Sequence, residues 1–142
     1  MTFDPLSDLN WLAVLVAALA YFAIGAVWYA PPVFGRVWAA AGGFDLPEAG
    51  SRPSAAIYLT PLIGSVLSAI ALGLIAAASG TDTFEEGLVL GIVVAVGFAI
   101  PIALVTAQFE TQKPKAMVWG AVNGGYHVVG NLIAAIIVAS WQ

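Results

Sequence analysis

Asn123, His127 and Asn131 interrupt an otherwise apolar run that extends from Met117 to Trp141. Successive residues advance about 100° around an α-helix, so these three gather on one face together with Gly120 and Gly124. An imidazole between two amides can hold the polar group of a ligand or relay a proton. It can equally serve neighbouring helices as a hydrogen-bonding anchor, because polar groups in hydrocarbon are costly and turn toward protein or water. Tyr21 and Tyr126 place two phenols in apolar runs, and each hydroxyl needs a partner, which makes both candidates to line a polar pocket.

The same inventory argues against catalysis. The chain has one histidine and no cysteine, and its apolar runs hold no carboxylate. Such a set makes neither a metal cage, a bis-histidine haem site, nor a nucleophile with its base and orienter. The sequence therefore predicts no catalytic residue, no cofactor site and no metal site. A net charge of −4 spread over short connections does not suggest a nucleic-acid partner.

The elements that must carry the polar face are four uncharged apolar runs: Trp11 to Ala30, Ala55 to Ser79, Gly87 to Ala107, and Met117 to Trp141. Each has about the 20 residues that a helix needs to cross a hydrocarbon core of roughly 30 Å. With 61% hydrophobic and 8% charged residues, the 142-residue chain has too little polar surface for a soluble domain. The predicted fold is all-α, a single integral membrane four-helix bundle. Met1 to Asn10 offers Asp4 and Asp8 where a secretory signal would carry basic residues, so the first run is read as a permanent helix.

Four crossings put the loops Pro31–Ser54 and Gln108–Ala116 on one face, and these hold all four basic residues, Arg36, Arg52, Lys113 and Lys115. Short loops rich in Lys and Arg stay cytoplasmic, so both termini are expected on the non-cytoplasmic side of an inner or plasma membrane. Trp11, Trp28, Trp38, Trp119 and Trp141 fall at or just beyond predicted helix ends, the depth that the amphipathic indole prefers. Thr83 with Glu86 reads as a capping box for the third helix. Pro101 removes a hydrogen bond and frees the Gly97 carbonyl, which Asn123, His127 or Asn131 is expected to satisfy directly or through a water.

Small residues predict close helix packing. Gly120 and Gly124 on the fourth helix, Gly87 and Gly91 on the third, and Gly25 on the first let another backbone approach; Gly64, Ser65 and Ser68 cluster on the second. Residues 31–43 read as an interfacial segment, with Phe34 and Trp38 dipping into the bilayer and Arg36 near lipid phosphates.

Gly25, Trp28, Tyr29, Pro32, Phe34, Gly35, Arg36 and Trp38 spell G-x-x-W-Y-x-x-P-x-F-G-R-x-W. This run resembles the opening motif of a bacterial family catalogued as domain of unknown function 1761, and the likeness extends to Gly125, Tyr126 and His127 in the last helix. The resemblance implies a four-helix membrane bundle and no activity. A looser likeness of Trp28, Tyr29, Pro31, Pro32, Phe34 and Trp38 to the tryptophan-rich translocator family implies a porphyrin or sterol ligand, although that family has five helices.

The leading functional expectation is an interaction protein in the lipid bilayer, a homo-oligomer or subunit of a larger complex joined through the small-residue faces. The alternatives are a small transporter or channel using Asn123, His127 and Asn131, and a binder of a flat hydrophobic ligand among Trp28, Tyr29, Phe34 and Trp38.

Overall fold

The computed structural model describes residues 4–47 and 54–141. Arg52 and Pro53 lie outside the described residues. Among the described residues six α-helices follow one another: α1 (Trp11–Trp28), α2 (Arg36–Gly42), α3 (Ala56–Ser79), α4 (Phe84–Val94), α5 (Ile100–Phe109) and α6 (Ala116–Ser140). No strand occurs among the described residues. A π turn at Ala95–Ala99 joins α4 to α5 in one helix, Phe84–Phe109. Four helices are thus long and apolar enough to cross a membrane: α1, α3, Phe84–Phe109 and α6.

Local chemistry sets the ends. Asn10 caps α1 by accepting from the Ala13 N–H at 3.1 Å. That helix stops at Trp28, two residues short of Ala30, because a proline pushes the residue before it out of helical geometry; Ala30 is extended, with φ −63° and ψ 143°. Gly43 and Gly80 terminate α2 and α3 in the left-handed conformation, with φ 74° and 67°. Thr83 Oγ1 accepts from the Glu86 N–H at 3.3 Å, and the Asp82 N–H donates to Glu86 Oε2 at 3.1 Å. This cap starts the third membrane helix at Phe84, ahead of the expected Gly87.

Pro101 is accommodated differently from the sequence expectation. The Ile100 N–H reaches back to the Ala95 carbonyl, so the helix widens by one residue just ahead of the proline ring. None of the three expected side chains bonds the Gly97 carbonyl: Asn123 Nδ2 donates to Trp119 O, Asn131 Nδ2 to His127 O, and His127 Nδ1 meets the Tyr21 hydroxyl. Gly97 faces open space, with nothing within 4 Å of where a Cβ would stand. A wide turn, and not a donor on α6, absorbs the proline.

α6 is the axle of the bundle. It packs on α1, α3, α4, α5 and α2, and α1 packs on α3, whereas α3 makes no extended contact with α4 or α5. Lipid tails are as apolar as leucine, so helices associate here by close van der Waals fit. Gly87 stands against Ala139 and Ile136; at Gly91 a Cβ would lie 2.8 Å from the Leu132 Cα. Gly120 and Gly124 face Ala107 and Ala103 on the same neighbour. On another face of α6, Gly130 lies under the Tyr21 ring, which an added Cβ would overlap, and Gly25 of α1 meets the ring of Tyr126.

Two long-range bonds close the ends of the bundle. Asn10 Nδ2 donates to Trp141 O at 2.8 Å, joining the first and last helices at one end. At the other, the Lys115 N–H donates to Ala41 O at 3.1 Å, bringing together the loops that carry Arg36, Lys113 and Lys115.

Gly130→Ala is expected to destabilise the fold by about 1–3 kcal/mol through overpacking against Tyr21. Gly64→Ala, at a position with nothing within 4 Å, should be neutral or slightly stabilising. Unfolding of both variants in mixed micelles measures the difference.

Candidate functional site

The polar face of α6 meets the end of α1 in a chain of hydrogen bonds. Tyr21, only 2% exposed, has its hydroxyl 2.8 Å from His127 Nδ1. Asn131 Nδ2 donates to the same hydroxyl at 3.3 Å and to the His127 carbonyl at 2.7 Å. One turn nearer the basic loops, the Tyr29 hydroxyl donates to Asn123 Oδ1 at 2.7 Å, and Asn123 Nδ2 donates to Trp119 O at 2.9 Å. The Trp28 indole N–H donates to the Val122 carbonyl at 2.9 Å. Satisfying these groups within the chain is what an environment without water demands.

Tyr126 stands between the two tyrosines of α1. Its ring is edge-on to Tyr21 at 5.3 Å and to Tyr29 at 5.5 Å. Ser65 Oγ donates to the Pro61 carbonyl at 2.9 Å. The ring series continues from Tyr29 to Trp38 at 4.8 Å and from Trp38 to Phe44 at 4.6 Å. Edge-to-face contacts of this kind add to the fit.

Because α3 and the third membrane helix stay apart, a groove of about 540 Å³ runs between them with α6 as its floor. Asn123, His127 and Asn131 lie along that floor beside Tyr21 and Trp119, while Ser68 stands on one wall and Phe98, Ile102 and Thr106 on the other. Asn131 is buried and Asn123 half-buried, but His127 is exposed. The polar face is therefore not turned wholly into the bundle as the stripe suggests. Its histidine opens into the groove, since α3 and α5 do not close over it.

The family profile described as Protein of unknown function (DUF1761) matches residues 12–139, nearly the entire chain. The chain belongs to that family. No curated protein and no solved structure matches it. For a DUF1761 member of this kind, the groove and its hydrogen-bonded floor are what the geometry offers as a site.

The residues singled out in the sequence divide into three groups. Asn123, His127, Asn131 and Tyr21 come together on the groove, with Tyr126 packed behind them. Gly87, Gly91, Gly120, Gly124 and Gly25 all meet residues of this same chain. Within the 31–43 segment, Phe34 lies on Trp28 at 4.5 Å, Pro32 and Arg36 are exposed, and Trp38 turns inward between Tyr29 and Phe44. Gly35 and Gly42 let α2 lie tight enough to hold Trp38, which is half-buried, and its indole N–H is buried without a partner among the described residues.

Trp119, Ser68 and Thr106 are groove residues that the polar stripe alone does not reveal, and Tyr29 joins the site although it reads as part of an interfacial motif. The available signal was helical periodicity: Trp119 lies four residues before Asn123 on the same face.

A double-mutant cycle of Tyr21→Phe with Asn131→Ala should return a coupling of about 0.6 kcal/mol, and no more than about 1.7 kcal/mol, the range of interhelical hydrogen bonds in membranes. Equilibrium unfolding in mixed micelles provides the measurement.

Proposed function

We propose that this is a multi-pass protein of the plasma membrane, or of the inner membrane in a Gram-negative cell, that binds a small lipophilic molecule in the groove between α3 and the third membrane helix. The observation that carries this reading is a cavity of about 540 Å³ with apolar walls and a floor of imidazole, amide and phenol groups. Ligand sites are of that size and pair extensive apolar lining with a few placed polar groups. The groove opens sideways, which admits a molecule already dissolved in the bilayer.

Three features favour this reading over the others. The glycine faces that would support self-association are occupied by α6 and its neighbours within the chain. A transport path would need polar lining along the whole crossing, but beyond Asn131 the buried face of α6 is Ala134, Ala135, Val138 and Ala139. Trp28 and Phe34 do line a second hollow of about 470 Å³, but the rest of its wall is Val37, Met117, Val118, Ala121 and Val122, and the Trp28 N–H is spent on the Val122 carbonyl, so no polar group is left there to orient a ligand.

Protein purified in mild detergent should carry a lipophile enriched over the bulk lipid extract, seen by mass spectrometry of an organic extract. Ser68→Trp, which fills the groove from the α3 side, should lose it while remaining monodisperse; an extract indistinguishable from bulk lipid would reject the reading.

Orientation follows the excess of Lys and Arg in the loops at one end of the bundle, with both termini outside. In intact cells a cysteine at Gly43 should resist an impermeant thiol reagent and one at Thr81 should react. The native chain has no cysteine to confuse the labelling.

A further inference from the structure

We infer that the groove selects a neutral lipophilic compound bearing a carbonyl oxygen, of the quinone type, by presenting to it the Nε2–H of His127. The inference rests on the groove being a ligand site and specifies what that site recognises.

The proton arrangement follows from three contacts. The amide atom of Asn131 that lies 2.7 Å from the His127 carbonyl oxygen must be its nitrogen, since two carbonyl oxygens would repel at that distance. The same nitrogen is 3.3 Å from the Tyr21 hydroxyl and can only donate, so the Tyr21 oxygen accepts. The one hydrogen of that hydroxyl then goes to His127 Nδ1 at 2.8 Å; the other acceptor in range, the His127 carbonyl, is at 3.5 Å and already engaged by Asn131. With Nδ1 accepting, the neutral imidazole carries its proton on Nε2. A neutral ring is also the form that a hydrocarbon setting tolerates.

His127 is exposed on the groove, and its Nε2 has no hydrogen-bond partner among the described residues. Asn123 repeats the pattern. Its Oδ1 accepts from Tyr29 and one of its two N–H bonds goes to Trp119 O, which leaves the second N–H free for the groove. These two donors are one helical turn apart, about 6 Å along the axis. The acceptor on the floor, Asn131 Oδ1, belongs to a residue only 8% exposed, and the Ser68 and Thr106 hydroxyls on the walls can turn either way. A ligand with acceptors on opposite sides of a ring complements this floor.

Depth separates such a molecule from a phospholipid. His127 lies about 16 Å from the Ala116 end of α6 and about 20 Å from the Ser140 end, at 1.5 Å per residue. That is the middle of a hydrocarbon core roughly 30 Å thick, whereas the ester carbonyls of phospholipids sit at its edges.

The chain holds a single histidine, so 15N-histidine labelling of the full-length protein in nanodiscs reports on this ring alone. The expected spectrum has Nδ1 unprotonated and Nε2 protonated. Adding 2-decyl-1,4-benzoquinone should shift the Nε2 resonance, and this probe should bind about tenfold more tightly than decylbenzene, the effect of one well-made hydrogen bond in a dry site. His127→Phe should remove that preference and still bind decylbenzene.

A protonated Nδ1, or equal affinity for the two probes, overturns the carbonyl inference. The groove reading survives that result if decylbenzene binding is lost in Ser68→Trp. Failure of both probes to bind, or binding that Ser68→Trp leaves unchanged, overturns both. The wild-type spectrum does not depend on how any variant folds.

Discussion

Contact at backbone distance between α6 and its neighbours is the constraint on which the rest of this structure depends. Among lipid tails no gain comes from moving leucine or valine out of water, so what holds helices together is how near their backbones come. α6 supplies two such faces. Gly120, Gly124, Ala135 and Ala139 receive the third membrane helix, and Gly130 receives the Tyr21 ring of α1. Once Gly87 and Gly91 have been used against α6, the remaining surface of the third helix is bulky: Val89, Ile92, Val93, Val96 and Phe98 are all exposed. Its wall of the groove is Val94, Phe98, Ala99, Ile102, Ala103 and Thr106, and α3 does not close over it.

Polar chemistry then follows the packing. Tyr21 can lie flat on Gly130 because that residue has no side chain, and this places its hydroxyl where it meets both His127 and Asn131. A larger residue at 130 would lift the ring, leaving His127 Nδ1 without its partner and Asn131 Nδ2 with only its bond to the His127 carbonyl, and an unpaired polar atom in hydrocarbon is costly. Tyr126 links the same centre to the loops, through Tyr29, Trp38 and Phe44. α6 is accordingly two helices in character, with hydrogen bonds up to Asn131 and alanine packing beyond it.

Much of the fold is legible in the sequence, and the failures are instructive. Uninterrupted apolar runs give four helices because a bilayer leaves the backbone few other ways to satisfy its own polar groups. The Thr83 and Glu86 pair marks a true helix start, since each side chain bonds a backbone N–H within reach of its own turn. Pro101 misleads because a helix can widen locally without help from another element, and no pattern of side chains announces that choice. That Trp38 stacks between Tyr29 and Phe44 is decided by the course of α2, which no pattern of side chains gives. The spacing of Gly87, Gly91, Gly120 and Gly124 reveals close approach but is identical whether the partner is the same chain or another copy.

For the site, the periodicity of one helix was sufficient to gather Asn123, His127 and Asn131 on a single face, because that depends only on 100° per residue. The same holds for the number of crossings and for the grouping of basic residues in alternate loops, which follow from composition along the chain. Whether that face is enclosed, which tyrosine meets which amide, and where an opening is left depend on how three other helices lean on α6. Those distances are set by residues far apart in sequence, such as Tyr21 and Gly130, and come into being only when the helices pack.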